Sequence, residues 1–558
     1  TVAGGSGTGY TDNGVENGTW YYRVQAVNPA GNGSNSAEAS ATLAAPDAPT
    51  GFTANASAGT QVALQWNAVS GATGYKVLRS TKDGSEYTTV GTTTGSGATS
   101  FADKHIASGT TYYYVVRATN DGGSSANSQQ ASATPVYTIS SGTIVNVSTA
   151  EELDAELAVA QAGTTIVLAD GTYTKNGPFE LKGKVGTLTS PITIKAAHTG
   201  RAIITGAAYL KVSTASAYVN VQGLRFTNTD NVSLLLDSSH SIRVTECSFE
   251  QIENRNNATA NIPYMQIRGA NSDYIQIDHN VFANKTQQGQ GMSIDGNGGS
   301  AMSQYLTIEY NLFRNFGPRI ANGMESIRLG LSGVSMLSGY AVVQYNEFDN
   351  ADGDPESISV KSSDNTIRYN TFRNSQSQLT LRHGNGAEVY GNYFLGDGVK
   401  EGVGGIRVYG VNHKIYNNYF EGLTTEAILV DSGDVDHGPA IVNYKNYSSD
   451  FSQHWPVYRT QVVNNTVVNS TYGIIVGHPP YTTNTKYFFK PIDTVIANNL
   501  VQNTTYEAYL ETVDSNTVYE DNIGFTTTPG SPVRTSAEIR SVDPRLALQA
   551  DGLYRLQA

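Results

Sequence analysis

One short phrase recurs from residue 219 onward and constrains the fold of this chain more than any other feature. Each copy has a β-branched residue, two others, then Asn or another small or apolar residue, any residue, and finally Phe or Val. The central asparagines are 22 to 47 residues apart. The copies read VQGLRF, VTECSF, IDHNVF, IEYNLF, VQYNEF, IRYNTF, VYGNYF, IYNNYF, VNNTV and IANNLV.

A repeat of this kind predicts a right-handed parallel β-helix, in which each coil adds short strands and the chain climbs one strand spacing per turn. An Asn at the same inward corner of every coil would hydrogen-bond the next coil, and the Phe after it would stack inside. We therefore predict structural roles for these residues and look for function where the pattern is interrupted. The predicted ladder asparagines are Asn280, Asn311, Asn346, Asn370, Asn392, Asn418, Asn465 and Asn499.

A different repeat occupies the N-terminal part. Residues 18–45 and 110–135 match each other at an offset of 92 residues, and apolar residues alternate through the intervening copy. This copy resembles a fibronectin type III module, a small β-sandwich. We predict a partial module at 1–45, a full module at 46–135 and the β-helix at 136–558. The modules are expected to act as spacers, and the natural chain is expected to extend beyond both ends.

Composition limits the class of partner. The formal net charge of −13 repels nucleic acid and acidic polysaccharides alike, so a polyanionic substrate would need a local cluster of cations or a bound metal ion. No run of about 20 apolar residues exists, which predicts no membrane span. The single cysteine, Cys247, is expected to be a buried core thiol.

One segment, 148–162, has the pattern of a helix. Ser148 or Thr149 can cap it, with an acidic residue three positions later as in a capping box. Its apolar stripe, Leu153 and Leu157, is expected to cover the open end of a sheet.

The strongest candidate for chemistry is the charged segment 352–385. Asp354 and Glu356 are two residues apart, which on a strand would put both carboxylates on one face. Lys361 precedes Arg382 by 21 residues, about one short coil, so the two are expected to be neighbours on adjacent coils. His383 completes the group. The plain alternative is a set of surface ion pairs, each of small energetic value.

The motifs in this region resemble polysaccharide lyase family 6, the family of alginate lyases and chondroitinase B. The resemblance covers about residues 140–550 and depends on the acid-x-Glu-x4-Lys pattern, the RHG tripeptide at 382–384, and NGMESIRLG at 322–330. It implies a lyase that binds calcium, with Lys361 as general base and Arg382 supporting the leaving oxygen. The implied calcium ligands are Asn322, Asp354 and Glu356.

The same resemblance puts Arg328 and His383 at substrate-contacting positions, with Arg407 in GGIRVYG as a further one. Asp354 departs from the family pattern, which has Glu there, and the shorter side chain would change or weaken ion binding. The sequence allows two roles for Glu325: a further calcium ligand or an ion-pair partner of Arg328.

The implied activity is β-elimination on a uronic-acid polymer, most simply alginate, with dermatan sulfate as the alternative substrate. A glycoside hydrolase using Asp354 and Glu356, or a carbohydrate-binding adhesin with aromatic platforms such as Tyr409, are the rival hypotheses. Since such polymers are too large to enter a cell, the protein is expected to be secreted.

Overall fold

The structure is a computed structural model, and it describes residues 9, 18–28, 31–57, 60–140, 142–253, 261–438, 450–481 and 486–557. The chain divides into two compact units, Thr1–Thr138 with His437–Asn446, and Ile139–Asp436 with Tyr447–Ala558. None of the helices among the described residues is both long and apolar enough to cross a membrane. The predicted fold class, an all-β chain with a parallel β-helix and N-terminal fibronectin type III-like modules, is confirmed, whereas the three predicted domain boundaries stay a prediction.

The smaller unit is built of antiparallel sheets. Trp66 and Tyr75 pack in its core, with ring centroids 5.3 Å apart. Its strands form sheets of two, two, three and five members: Gly18–Tyr22 and Ala39–Leu43; Gln25–Asn28 and Gly31–Asn35; Thr53–Ser57, Gln61–Gln65 and Ser100–Asp103; Gly74–Ser80, Thr88–Thr94, Tyr112–Asn120, Gly123–Ser124 and Ala131–Ala133.

The larger unit consists of three long parallel sheets, which every coil visits in turn. The first sheet contains Ile144–Val147, Thr165–Leu168, Ile192–Ala196, Ala217–Gln222, His240–Thr245, Gln276–Asp278, Thr307–Glu309, Val342–Gln344, Thr366–Arg368, Glu388–Tyr390, Lys414–Tyr416, Gln461–Val463, Val495–Ala497 and Val518–Glu520. The second contains Gly171–Tyr173, Ala202–Gly206, Arg225–Thr229, Ser248–Glu250, Val281–Lys285, Leu312–Phe316, Glu347–Ala351, Thr371–Arg373, Tyr393–Leu395, Tyr419–Glu421, Thr466–Val468, Leu500–Gln502, Asn522–Phe525 and Ile539–Arg540.

The third sheet carries the candidate site. Its strands are Gly177–Lys182, Ala208–Ser213, Leu234–Asp237, Met265–Arg268, Met292–Gly296, Ile327–Leu329, Glu356–Lys361, Gln378–His383, Ile406–Val408, Glu426–Val430, Tyr472–Val476, Tyr509–Glu511 and Gly530–Ser531. A final antiparallel hairpin, Leu546–Leu548 with Tyr554–Leu556, follows the coils.

The interior confirms the predicted ladder. Asn280 accepts, through Oδ1, the backbone N–H of Cys247, and each later ladder asparagine accepts that of the asparagine one coil earlier, as Asn392 does from Asn370 at 3.0 Å. The ladder continues one step further than predicted, to Asn522. The phenylalanines stack beside it with centroids 4.5 to 4.9 Å apart between successive coils. Repetition therefore satisfies the polar corner and fills the core at the same time.

The predicted helix spans Ala150–Val159. Thr149 caps it, and Glu152 completes the capping box by accepting the Thr149 N–H. Leu153 and Leu157 are buried against the first coils, as expected. Cys247 is also buried, and burial raises the pKa of its thiol to about 12, so it stays protonated.

Candidate active site

The outward face of the third sheet presents a continuous row of side chains from coil to coil. Strand alternation turns Ile358 and Val360 into the core, which leaves Ser359 between them facing outward. Cross-strand register then fixes the members of this row, in order along the helix, as Ser293, Arg328, Ser359, Thr380 and Arg407. Two of the predicted substrate-contacting residues, Arg328 and Arg407, therefore belong to the row.

The register beside this row places Lys361 and Arg382 more accurately than their spacing does. Strands Glu356–Lys361 and Gln378–His383 are interrupted by two irregularities, the second between Val360 and Lys361. As a result Lys361 pairs with His383, and Arg382 is the extra residue directly before it, so that Lys361 and Arg382 lie on adjacent strands but one residue out of register. The reason is that a bulge inserts an extra residue into one strand, which spacing counted in whole coils does not reveal.

Three acidic residues near the row are buried: Glu325, Asp354 and Glu356. Asp354 precedes the strand that begins at Glu356, so the expectation that both lie on one strand face is wrong. Its carboxylate instead accepts the backbone N–H groups of Met324 at 3.2 Å and Glu356 at 3.0 Å. Burial, together with the charges of Glu325 and Glu356, raises the pKa of Asp354 to about 7. This excess of negative charge suits a cation.

Glu356 is engaged by protein cations. Its Oε1 accepts from Arg407 Nη2 at 2.7 Å and lies 3.9 Å from Arg382 Nε, while Ser359 donates to Oε2. The carboxylate therefore links the acids to the arginines that surround the row.

Arg382 and His383 contact a distant segment of the chain. The Arg382 guanidinium donates to the carbonyls of Ser452, at 3.1 Å, and Gln453, at 3.2 Å. His383 Nε2 lies 2.6 Å from Arg382 Nη1 and 2.9 Å from Gln453 O. Burial and the neighbouring charges of Arg382 and Lys361 hold the pKa of His383 well below its usual range, so the imidazole is neutral.

Lys361 differs from these arginines in its surroundings. It is half-buried at the end of its strand, and within the described ranges its side chain has no hydrogen bond or ion pair. Its charge contributes to the lowered pKa of His383 and of His454. Among the described residues, no ion pair or hydrogen bond therefore holds this amine away from a ligand on the face.

Several buried polar atoms of this face make no hydrogen bond to the part of the protein that the structure describes. They are Arg328 Nε, Thr380 Oγ1, His383 Nδ1 and Arg407 Nε. Since buried polar groups are nearly always paired in native proteins, a cluster of unpaired ones indicates a place for a ligand.

The partners of Arg328 and Glu325 decide whether these two residues form an ion pair. Arg328 Nη2 donates to Ser293 at 2.8 Å and to Asp295 at 2.7 Å. Glu325 accepts instead from Gln290 Nε2 at 2.9 Å. The ion-pair interpretation of Glu325 is therefore wrong, and its role as a further ligand stays a prediction.

The predicted calcium ligands are brought together only in part. Asp354 and Glu356 are neighbours, whereas Asn322 is exposed, and its carbonyl accepts from Gln288 at 3.4 Å. Among the described residues no group of three His, Cys, Asp or Glu has the arrangement of a metal site. The oxygen-rich donors and the raised pKa of Asp354 nevertheless fit a hard cation such as Ca²⁺.

Sequence reasoning missed a second layer of residues at the edge of the site. Tyr409 donates to Asp431 at 2.5 Å, and His478 Nδ1 lies 2.9 Å from the other Asp431 oxygen. The ring of His454 lies 4.7 Å from that of Tyr409, and Tyr487 contacts His454 at 3.1 Å. Tyr409 was expected only as a sugar platform, and the other residues of this layer belong to no repeat or motif, so only the fold brings them to the site.

Comparison with known families supports the resemblance. The family model described as chondroitinase B matches residues 147–534. The chain belongs to the chondroitinase B family. The fibronectin type III model matches residues 47–134. No curated protein sequence matches this family member significantly.

Solved structures agree with the family and are lyases of polysaccharide lyase family 6. The alginate lyase AlyGC superposes with a TM-score of 0.63 and 26% identity over 75% of this chain and 55% of AlyGC. The chain thus spans little more than half of AlyGC. A mannuronic acid specific family 6 lyase from human gut microbiota gives 0.60 and 23% identity, covering 72% of this chain and 91% of that one. A family 6 alginate lyase in complex with a trisaccharide gives 0.61 and 21%, covering 74% and 91%.

Proposed function

We propose that this protein is a polysaccharide lyase that cleaves a uronic-acid polymer, alginate, by β-elimination. The observation that carries the proposal is the outward face itself, where Lys361, Arg382 and Arg407 lie among buried polar atoms that have no partner in the part of the chain that the structure describes. Such a face suits a polyanion despite the net charge of −13, because its own cations oppose the field of the whole molecule.

The chemistry assigns a task to each residue. Lys361 takes the proton from C5 of the uronate, next to its carboxylate, and the C4–O bond then breaks to leave a C4=C5 double bond. Arg382 supports the charge on the leaving oxygen, which takes its proton from water, because a guanidinium is a poor proton donor. Substrate is held by Arg328, His383 and Arg407, of which His383 contributes a neutral imidazole.

Calcium would be held by Asn322, Asp354 and Glu356. When bound, it would withdraw charge from the substrate carboxylate and so make the C5 proton more acidic. The raised pKa of Asp354 supports a cation here, since a positive ion would relieve the repulsion among the buried acids.

The second candidate substrate is dermatan sulfate, which the chondroitinase B model favours. The adhesin hypothesis is weakened, because Tyr409, its suggested sugar platform, is buried at 2% exposure. A hydrolase is disfavoured because both Glu356 oxygens are engaged, one by Arg407 and the other by Ser359, which leaves neither free to serve a glycosidic bond. Action on an extracellular polymer would place the protein outside the cell.

The test follows the absorbance of unsaturated uronate ends, which a hydrolase does not produce. Alginate and dermatan sulfate are each incubated with the protein, once with Ca²⁺ and once with excess chelator. We expect a rise on alginate that chelator weakens. A rise on dermatan sulfate alone would change the substrate, a rise that ignores chelator would remove the calcium role, and no rise on either polymer would contradict the lyase.

Lys361→Ala is the variant that tests the base. General-base catalysis contributes roughly 10²–10⁴-fold, so the rate should fall by about that factor with the unfolding midpoint unchanged. Lys414→Ala, which removes an exposed lysine paired with Glu388 on the first sheet, is the matched control and should keep full activity. Full activity in Lys361→Ala would assign the base to another residue.

A further inference from the structure

The outward row of the third sheet changes character directly after Arg407. The next residues in register are Leu429, Ile475 and Leu510, which face the same side as Arg407. They are 3%, 0% and 8% exposed and form an apolar cluster of their own, separate from the core. Small outward side chains such as Ser359 and Thr380 are equally buried, at 0% each, between their larger neighbours. Three large aliphatic side chains in succession on an outward face, however, are buried this well only when another part of the chain covers them.

The cover is the segment from His478 to Tyr481. His478 is bonded to Asp431, just beyond one end of strand Glu426–Val430, and the Tyr481 hydroxyl donates to Glu426 at the other end. A segment held at both ends of this strand spans the outward face that carries Leu429. The Tyr481 ring also stacks on Tyr472 with centroids 5.6 Å apart.

A second group extends this cover toward the reactive residues. Gly433 and Phe489 exchange backbone hydrogen bonds of 2.8 and 3.0 Å, and the Asp434 N–H donates to the His454 carbonyl at 2.8 Å. These bonds fix the backbone beside Ser452 and Gln453, whose carbonyls receive Arg382. We call these residues together the end wall: 433–434, 452–455, 478–481 and 487–489.

The end wall stands close to the cations. Burial and the charges of Arg382 and Arg407 lower the pKa of His454 to about 2, so this wall residue stays neutral and faces them. Strand Glu426–Val430 is two strands beyond Gln378–His383 in the sheet. At roughly 4.8 Å per strand spacing, about 10 Å separates the Arg382 strand from the covered strand.

The opposite direction along the row is open among the described residues. Strands Met292–Gly296 and Met265–Arg268 line a cavity of about 380 Å³ together with Asp237 and Leu331. The Arg268 side chain on its rim is 47% exposed. Four strand spacings, roughly 19 Å, separate the Arg382 strand from the Arg268 strand.

We propose that the end wall closes one end of the substrate groove, so that the enzyme releases products of one or two sugar units from a chain end. The wall carbonyls of Ser452 and Gln453 bond Arg382 itself, and the strand covered by the crossing segment lies only about two strand spacings, roughly 10 Å, beyond the Arg382 strand. A pyranose with its linkage is about as long as one strand spacing, so no more than two units fit on this side of the reactive residues. The polymer can extend only toward Arg268. The elimination is unchanged, and this inference rests on the proposed function.

The test compares two readouts on high-molecular-mass alginate. Ultraviolet absorbance counts the bonds broken, while viscosity and size-exclusion chromatography report where along the chain they break. We expect absorbance to rise while viscosity stays nearly constant, with mono- and disaccharides as the first detectable products. A rapid loss of viscosity with a broad ladder of long oligosaccharides would overturn the closed groove and leave the lyase intact. No unsaturated product at all would overturn both.

A variant sharpens the test. His478→Ala combined with Tyr481→Ala removes both anchors of the crossing segment and should shift the first products to longer oligosaccharides. Tyr481→Phe keeps the ring against Tyr472 and serves as the milder variant, with an intermediate or unchanged profile. Identical product sizes in a folded double variant would contradict the wall. If the double variant does not fold, the wild-type profile alone decides.

Discussion

The same coils carry two sets of buried polar side chains, one with hydrogen-bond partners and one with polar atoms that have no partner among the described residues. At the inward corner, Asn370 donates to Val343 O at 2.9 Å and to Asn392 Oδ1 at 3.0 Å, and the amides from Asn280 to Asn499 repeat this arrangement. The last amide, that of Asn522, donates to two backbone carbonyls instead. On the outward face of those coils, Thr380 and Arg407 keep buried polar atoms that have no partner among the described residues. Both sets are buried, but only the first has all of its hydrogen-bonding groups paired with described residues.

This difference distinguishes residues that hold the fold from residues that are available to a ligand. Buried polar groups cost free energy unless they are paired, so an unpaired cluster persists only where the rest of the structure is stable enough to support it. The regular ladder and the stacked rings supply that stability. We therefore expect changes inside the coils to reduce stability with little effect on chemistry, and changes such as Lys361→Ala to do the reverse.

The largest stability effect should come from the phenylalanine column. Phe313 is fully buried, and its ring lies 4.8 Å from Phe282 and 4.9 Å from Phe348. Phe313→Ala removes both stacks and leaves a cavity, so the free energy of unfolding should fall by about 3–5 kcal/mol in urea titrations. Activity per folded molecule should persist.

The control for this substitution lies in the outer stack of the first sheet. Tyr345 is half-buried, with its ring 5.0 Å from Tyr310. Tyr345→Ala should cost about 1 kcal/mol or less, because its ring loses little buried area. Equal losses for the two variants would show that the inner column has no special part in stability.

A smaller loss is expected in the ladder. Asn392→Ala removes the acceptor of the Asn370 N–H and of its amide, and it leaves the Ile367 carbonyl without its 3.0 Å donor. One buried unsatisfied group costs about 1–3 kcal/mol, so the unfolding midpoint should fall by a corresponding amount. The rate on alginate at low temperature should stay unchanged. A loss of activity without loss of stability would mean that the ladder controls the face directly.

The sequence predicted the regular interior of the coils better than the outward face. The ladder, the phenylalanine column and the Thr149 cap were predicted, because each depends on local spacing that repeats or on a short-range motif. The Asp295 partner of Arg328 and the end-wall residues Tyr487 and His454 were not, because insertions of irregular length bring them to the site. The bulge that pairs Lys361 with His383 also escaped, since one added residue leaves no mark on spacing counted in coils.

The prediction with the clearest pH dependence concerns the contribution of Lys285 to stability. This lysine is 1% exposed, donates to Ile262 O at 2.8 Å and lies 4.3 Å above the Tyr264 ring. Burial lowers its pKa to about 7, whereas an unfolded lysine titrates near 10.4. Between these values the unfolded chain binds the extra proton, so this residue makes stability rise with pH across that window.

Lys285→Met replaces the buried amine with an apolar chain of similar shape. The variant should be more stable than the wild type at pH 6 by up to roughly 4 kcal/mol, because lowering a lysine pKa from about 10.4 to about 7 corresponds to that much free energy, less the lost hydrogen bond and ring contact. The advantage should shrink steadily as the pH rises from 7 and be largely lost above about pH 10, where both states of the wild type become neutral. Thermal unfolding at pH 6, 8 and 10 measures it. An advantage that is constant with pH would mean that Lys285 stays charged inside the coil, held by Ile262 and Tyr264. The hydrogen-bonded interior of the coils would then include a charged group, in contrast to the outward face with its unpaired polar atoms.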